Sequence, residues 1–174
     1  MQNGNSICAH CFAEALLNKK KTVADATESN FYLFQNILPL DMLPRFRNVC
    51  IARIESFGDV ASVNQAKNYI NICKVNPAVR FAAWTKNEWL WKAAIDELGK
   101  PENLTMVFSS PMLNQHATPK YPEIFDHIFT VYDDETIAFY ENGQEFVNCG
   151  ARDCWNCQKC YRKDSDFMIR ERLK

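Results

Sequence analysis

Apolar and polar positions along the chain change period several times, and each change marks an element. "FAEALLNKKK", which follows Cys11, joins strong helix formers to a lysine run that suits a helix C-terminus, so it predicts a first helix. A second helix is expected over 27–38, before Pro39 and Pro44 interrupt the pattern. "VCIARIES" (49–56) is short, apolar and β-branched and reads as a strand, with "FGDV" as the turn after it. "SVNQAKNYINICKV" puts Val63, Ala66, Tyr69, Ile70 and Cys73 near a 3.6-residue period, which predicts a helix ended by Pro77. "VRFAAWTK" reads as a second strand. "NEWLWKAAIDELG" reads as a helix with Asn87 at its N-cap and Gly99 as its stop. "NLTMVFSS" and "HIFTVYD" are the third and fourth strands, with a Pro- and His-containing loop between them. "ETIAFYENGQEFV" reads as a short hairpin turning at Asn142-Gly143. A charged helix is expected from about Ser165 to the end.

Strands alternating with helices in short steps indicate an α/β fold. The expected architecture is an open, mostly parallel sheet or a partial (β/α) barrel of about four strands, too few to close an eight-stranded barrel. The 174 residues are read as a single domain. Within it, 1–48 is an N-terminal helical part carrying a Cys-x2-Cys, 49–147 the β/α core, and 148–174 a cysteine cluster with the C-terminal helix.

Composition narrows the partners. The chain is 47% hydrophobic, enough for a core without disulfides. Twenty basic residues against 21 acidic ones give a net charge of −1, which argues against a strongly basic wrapper of nucleic acid. No apolar run approaches the roughly 18 residues that span a bilayer, and the start lacks the basic and apolar regions of a secretion signal. The expected location is the cytosol, with no membrane partner. Thiols stay reduced there, so clustered cysteines point to metal or redox chemistry.

Eight cysteines divide into two groups. Cys50 and Cys73 fall in apolar patterns and are expected to be buried, structural thiols. Cys8, Cys11, Cys149, Cys154, Cys157 and Cys160 are the candidate metal ligands, because x2 spacing lets neighbouring sulfurs point at one centre. The triple Cys154-x2-Cys157-x2-Cys160 matches the way three thiolates reach three corners of a [4Fe–4S] cluster, with the fourth from Cys149, Cys8 or Cys11. No x3-Cys-Pro follows, unlike ferredoxins. Zinc is the alternative, held by Cys8 and Cys11 together with Cys157 and Cys160. Arg152, Lys159, Arg162 and Lys163 are placed to offset the charge of either centre. A structural role, pinning the N-terminal helix to the tail, is the expected one.

"CAHCFAEAL", "IARIESFGDV", "FAAWTKN", "PENLTMVFSSP" and a late "CxxCxxCY" occur in that order. The order resembles the gene-product-88 domain family of bacteriophages and mobile elements across nearly the whole chain. That family is distantly similar to radical-SAM-like partial barrels. This sequence lacks their Cys-x3-Cys-x2-Cys motif, so radical chemistry is not carried over. The resemblance implies a protein of the host cell cytosol that acts on a host protein or protein–nucleic acid complex. Inhibition of a host defence system, an anti-CRISPR-like role, is one concrete form.

Strand ends carry the remaining candidates, since ligands of α/β sheets bind at the carboxyl ends of strands. These are Arg53, Glu55 and Asp59 after the first strand, Thr85 and Lys86 after the second, and Ser109 and Ser110 after the third. All are expected on one rim, as a site for an unidentified small ligand. Arg53 and Glu55 share a face by strand parity, so a structural ion pair is an equal reading. Asp59 reads equally as a helix cap. His10 reads as a spacer, His116 and His127 as surface residues, and Trp84, Trp89, Trp91 and Trp155 as packing residues. No nucleophile–His–acid set is legible, so the favoured function is a metal-binding module rather than an enzyme. One alternative is an enzyme acting on an anionic or nucleotide substrate, with Arg53 and Lys86 as anchors and Glu55 or Asp59 as base. The other is a nucleic-acid-binding accessory protein using Lys19 to Lys21 and the terminal "RERLK".

Overall fold

A computed structural model describes residues 5–10, 12–56, 58–141, 146–150 and 153–173. Two helices open the chain, α1 (Phe12–Lys19) and α2 (Lys21–Leu33). β1 (Ile51–Ile54), α3 (Val63–Val75), β2 (Arg80–Thr85), α4 (Glu88–Leu98), β3 (Leu104–Ser109) and β4 (His127–Tyr132) then alternate. α5 (Asp134–Glu141), a single turn α6 (Cys154–Cys157), a 3-10 turn (Lys159–Tyr161) and β5 (Met168–Arg172) complete the order.

The five strands form one open sheet, all parallel, with neighbours in chain order from β1 to β5. Right-handed crossovers from β1 to β2 and from β2 to β3 put their helices on a single face. α3 and α4 lie there. Ile54, Phe81, Ala83, Leu104, Met106, Phe108 and Ile128 pack against Ala66, Ile70 and Cys73 of α3 and Leu90, Trp91 and Ala94 of α4. The alternate residues, among them Arg53, Ala82, Trp84 and Val107, turn to the other face. The cysteine tail covers that face: its 3-10 turn packs on β2 and β3.

Local chemistry sets the boundaries. Ser62 caps α3 by accepting from the Gln65 amide at 3.1 Å. Gly99, at φ 76°, ends α4 in a conformation that favours glycine. Asn87 occupies the N-cap of α4, but its side chain donates to the Val60 carbonyl at 2.7 Å instead of capping. The chain between α2 and β1 has little regular structure, and two buried asparagines of the α3 region satisfy its backbone. Asn68 accepts from the Leu38 amide (2.9 Å) and donates to the Asn36 carbonyl (2.8 Å). Asn76 accepts from the Phe46 amide (2.8 Å) and donates to the Pro44 carbonyl (2.9 Å).

Several expectations are corrected. The helix expected over 27–38 is instead the later part of α2, which starts at Lys21 and ends at Leu33. The hairpin expected after β4 begins as helix α5: Asp133 accepts from the Thr136 amide at 2.8 Å and caps it. Asn142 and Gly143 lie outside the described residues. The closing helix is strand β5, the fifth of the sheet. Ile169 is buried, and the full length of β5 pairs with β4, which outweighs the helix preference of a charged run. Cys73 is buried as expected, but Cys50 is exposed, because it lies just before β1 at the sheet edge. Among the described residues no helix is long and apolar enough to cross a membrane.

Candidate functional site

The tail is built turn by turn. Asp153 caps α6, accepting from the Asn156 amide at 2.8 Å. Gln158 then takes a left-handed conformation, φ 53°, and redirects the chain into the 3-10 turn that carries Cys160 and Tyr161. Tyr161 is buried and meets the Trp84 ring edge-on at 6.1 Å. Arg53 of β1 lays its guanidinium over the other part of this stack, 4.3 Å from the Trp84 centroid. Upstream, the Cys149 amide donates to the Arg170 carbonyl at 3.0 Å, and Cys149 bridges to Glu171, which ties it to β5.

These contacts bring four thiols into one neighbourhood. Burial pushes the Cys160 thiol up to about 12, and Cys149, Cys154 and Cys157 push it further in the same direction, while Arg53 opposes them. Burial likewise raises the Tyr161 hydroxyl to about 12, with Cys154 and Cys160 adding to it and Arg53 again opposing. Lys159 is engaged elsewhere: its Nζ lies 3.0 Å from Asp166 and donates to the Asn148 carbonyl. Among the described residues no three His, Cys, Asp or Glu side chains already converge in metal-ligand geometry. The four sulfurs therefore share a neighbourhood without sharing a point. Cys8 belongs to a turn (Ile7–His10) fastened elsewhere, with the Ile7 amide donating to the Pro111 carbonyl beyond β3. It is not among the groups acting on Cys160. Cys11 lies outside the described residues.

The expected single rim is two separate environments. β1 ends at Ile54, and Glu55 takes a left-handed φ of 51°, so strand parity fails between Arg53 and Glu55. Arg53 stays on the tail face. Glu55 turns to α3, where its Oε1 accepts from the Tyr69 hydroxyl and from Gln65 Nε2 (2.7 Å). Burial raises the Glu55 carboxyl above its ordinary range, the bonds from Tyr69 and Gln65 oppose this, and Asp59 adds to the rise. The Tyr69 hydroxyl is raised far above its usual range, first by burial and then by Glu55.

Asp59 is not a helix cap but a clamp between two loops. It accepts from the Val60 amide (2.8 Å), Thr85 Oγ1 (2.7 Å), and the Lys86 (2.6 Å) and Asn87 (3.3 Å) amides. Thr85 is buried in that clamp, and Lys86 is exposed. Ser110 is buried and donates to the Gln115 carbonyl at 2.5 Å, while Ser109 is half-buried at the end of β3. His116 is exposed as expected. His127 is not a surface residue: it is fully buried, with ring nitrogens 2.9 Å from the Asp166 carbonyl and 2.8 Å from that of Arg162. Trp91 is core and Trp84 is half-buried, but Trp89 and Trp155 are exposed. Sequence reasoning passed over Tyr69 and Gln65 as functional positions. Their i, i+4 spacing on one helix, facing the loop after β1, was the available signal.

A family model described as gene product 88 matches residues 2–166. No curated protein and no solved structure matches the chain.

Proposed function

We propose, for a chain that belongs to the gene product 88 family of phage proteins, that Cys149, Cys154, Cys157 and Cys160 bind one metal centre and that the protein works as a binding module. The observation that carries the reading is the neighbourhood of Cys160: three further thiols act on it, with Arg53 as a nearby countercharge. Thiolate donors suit zinc and iron–sulfur centres, and the consecutive x2 spacings favour a [4Fe–4S] cluster over zinc. The tail supplies four donors on its own, so Cys8 and Cys11 are not needed. The centre would be structural. It would draw α6, the 3-10 turn and the start of the tail together over the face of the sheet opposite α3 and α4, and metal binding would couple to ordering of that face.

A binding role rather than catalysis is supported by the separation of the charged side chains. Arg53 and Glu55 sit in different environments, so they do not form an anchor and base for one anionic substrate. The stretch after α2 also exposes Ile37, Leu40 and Met42, an apolar run of the kind that marks contact surfaces. The partner in this reading is a host protein or protein–nucleic acid complex, and inhibition of a host defence system is its concrete form.

Anaerobic purification followed by metal and acid-labile sulfide analysis tests the centre. Iron with equimolar sulfide, lost in Cys154→Ser and Cys160→Ser but kept in Cys8→Ser, is the expected result. Zinc without iron replaces the cluster by the alternative metal. Neither metal in anaerobically purified protein overturns the centre.

A further inference from the structure

A cavity of about 250 Å³ opens at the carboxyl end of β1, between α2 and α3. Asn30 and Phe31 line it from α2, Glu55 and Asp59 from the loop after β1, and Gln65 and Tyr69 from α3. It lies at the carboxyl end of a strand, the side on which parallel α/β folds take ligands; the strands follow in chain order, so this is the sheet edge and not a switch point. None of the tail thiols lines it, so a ligand held here is independent of the metal centre.

The charge of the cavity is one-sided. Its charged lining is Glu55 and Asp59, and no lysine, arginine or histidine among the described residues lines it. Nor does any cation among the described residues act on the Glu55 carboxyl; the charged group that does is Asp59. A partly buried carboxylate without a counter-ion is costly, and the described residues supply none.

The two carboxylates have different capacities. Both Asp59 oxygens are taken by the clamp to Val60, Thr85 and Lys86, so Asp59 lends charge but no free contact. On Glu55, Oε1 is taken by Tyr69 and Gln65, whereas Oε2 has no hydrogen-bond donor among the described residues. Tyr69 and Gln65 thereby fix the carboxyl plane and leave one acceptor oxygen for a ligand. The left-handed backbone at Glu55 is what delivers the carboxyl here, and such conformations persist where the surroundings over-determine them. Phe31, partly exposed, and Tyr69 add aromatic surface, which attracts cations and apolar stems alike.

We propose that this cavity binds an organic cation, an amine or guanidinium head on a short apolar stem, with its nitrogen on Glu55 Oε2 and its stem against Phe31. Two carboxylates reject an anionic ligand. A hard divalent ion is usually held by several carboxylates, and among the described residues no group of three or more His, Cys, Asp or Glu is placed to hold one. The volume falls below that of pockets for drug-sized ligands, which suits a head group and a few carbons. A free diamine and a lysine or arginine side chain of a protein carry this same chemistry.

Titration calorimetry of the full chain with putrescine, agmatine, a capped lysine peptide and succinate tests the site. Saturable binding of at least one cation is expected, with no binding of succinate. Glu55→Gln, which still accepts from Tyr69 and Gln65, is expected to weaken cation binding about tenfold or more, a loss of roughly 1.4 kcal/mol or more. Glu102→Gln, at the opposite end of the sheet, is expected to leave binding unchanged. Binding of the peptide without the free amines assigns the side-chain source, and the reverse assigns the small amine. Absence of saturable binding by all three cations overturns the proposal. So does equal affinity in wild type and a folded Glu55→Gln variant, as judged by its melting curve.

Discussion

The Arg53 guanidinium stacks 4.3 Å from the centre of the Trp84 ring, and Trp84 meets the Tyr161 ring edge-on. The stack links β1, β2 and the turn that carries Cys160, so packing holds the positive charge beside the thiols. An outer residue of this kind tunes a metal centre without touching it. With the proposed centre bound, Arg53→Gln is expected to lower its affinity about tenfold, read as faster transfer to a competing chelator. Arg53→Lys is expected to recover only part of the loss, because an ammonium does not stack as a planar guanidinium does. Equal transfer rates in all three proteins would show that Arg53 has no part in holding the centre.

Asp59 joins the loop after β1 to the loop after β2 through Thr85 and the Lys86 amide. Removing its carboxylate leaves the buried Thr85 hydroxyl and several amides without their acceptor. Asp59→Ala is expected to cost about 2–4 kcal/mol, in the range for a broken buried network. In urea unfolding the midpoint should fall while the slope stays constant. Asp59→Asn keeps one acceptor oxygen and should lose less. A midpoint within error of wild type for Asp59→Ala would mean that the two loops are held by other contacts.

β2 and β3 were legible because strands buried on both faces read as unbroken apolar runs, as "VRFAAWT" and "LTMVFS" do. β5 was not, because "MIRER" owes its strand state to β4, a partner that local composition does not reveal. Likewise, parity is a sound guide only while the backbone stays extended. It placed Arg53 on one face correctly and failed one residue beyond the strand, where Glu55 turns left-handed. Spacing singled out the tail cysteines. That Arg53 lies beside them, and Tyr69 beside Glu55, depends on how β1 packs against the tail and α3. Those are long-range contacts with no periodic trace in the chain.

Cys50 and Cys73 looked alike in sequence but differ in the fold. Cys50 is exposed, whereas Cys73 is buried and its thiol is pushed up to about 12, mainly by burial. The thiolate is the reactive form, so burial and a scarce thiolate both protect Cys73. Iodoacetamide at neutral pH is expected to label Cys50 in the folded protein and to label Cys73 at least about a hundredfold more slowly. Peptide mass spectrometry reads both sites, and denaturant should equalise them. Native labelling of Cys73 at the Cys50 rate would show that α3 opens readily from the sheet.

The Glu55 carboxyl is raised chiefly by burial, against the opposing bonds from Tyr69 and Gln65 and with a further push from Asp59. A carboxyl raised on folding holds its proton more tightly in the native chain than in the unfolded one. Its neutral form therefore adds stability that is complete below the ordinary carboxyl range and is lost as pH rises through the folded value. Glu55→Gln imitates the neutral form at every pH, and its amide oxygen still accepts from Tyr69 and Gln65. The variant should melt above wild type at neutral pH and coincide with it below about pH 4, where the unfolded carboxyl is also protonated. Melting curves across that range check both limbs. A wild type as stable as Glu55→Gln at neutral pH, measured without added amine, would show that water or a protein cation already compensates the carboxylate. The cavity would then have no unmet charge for a ligand to satisfy.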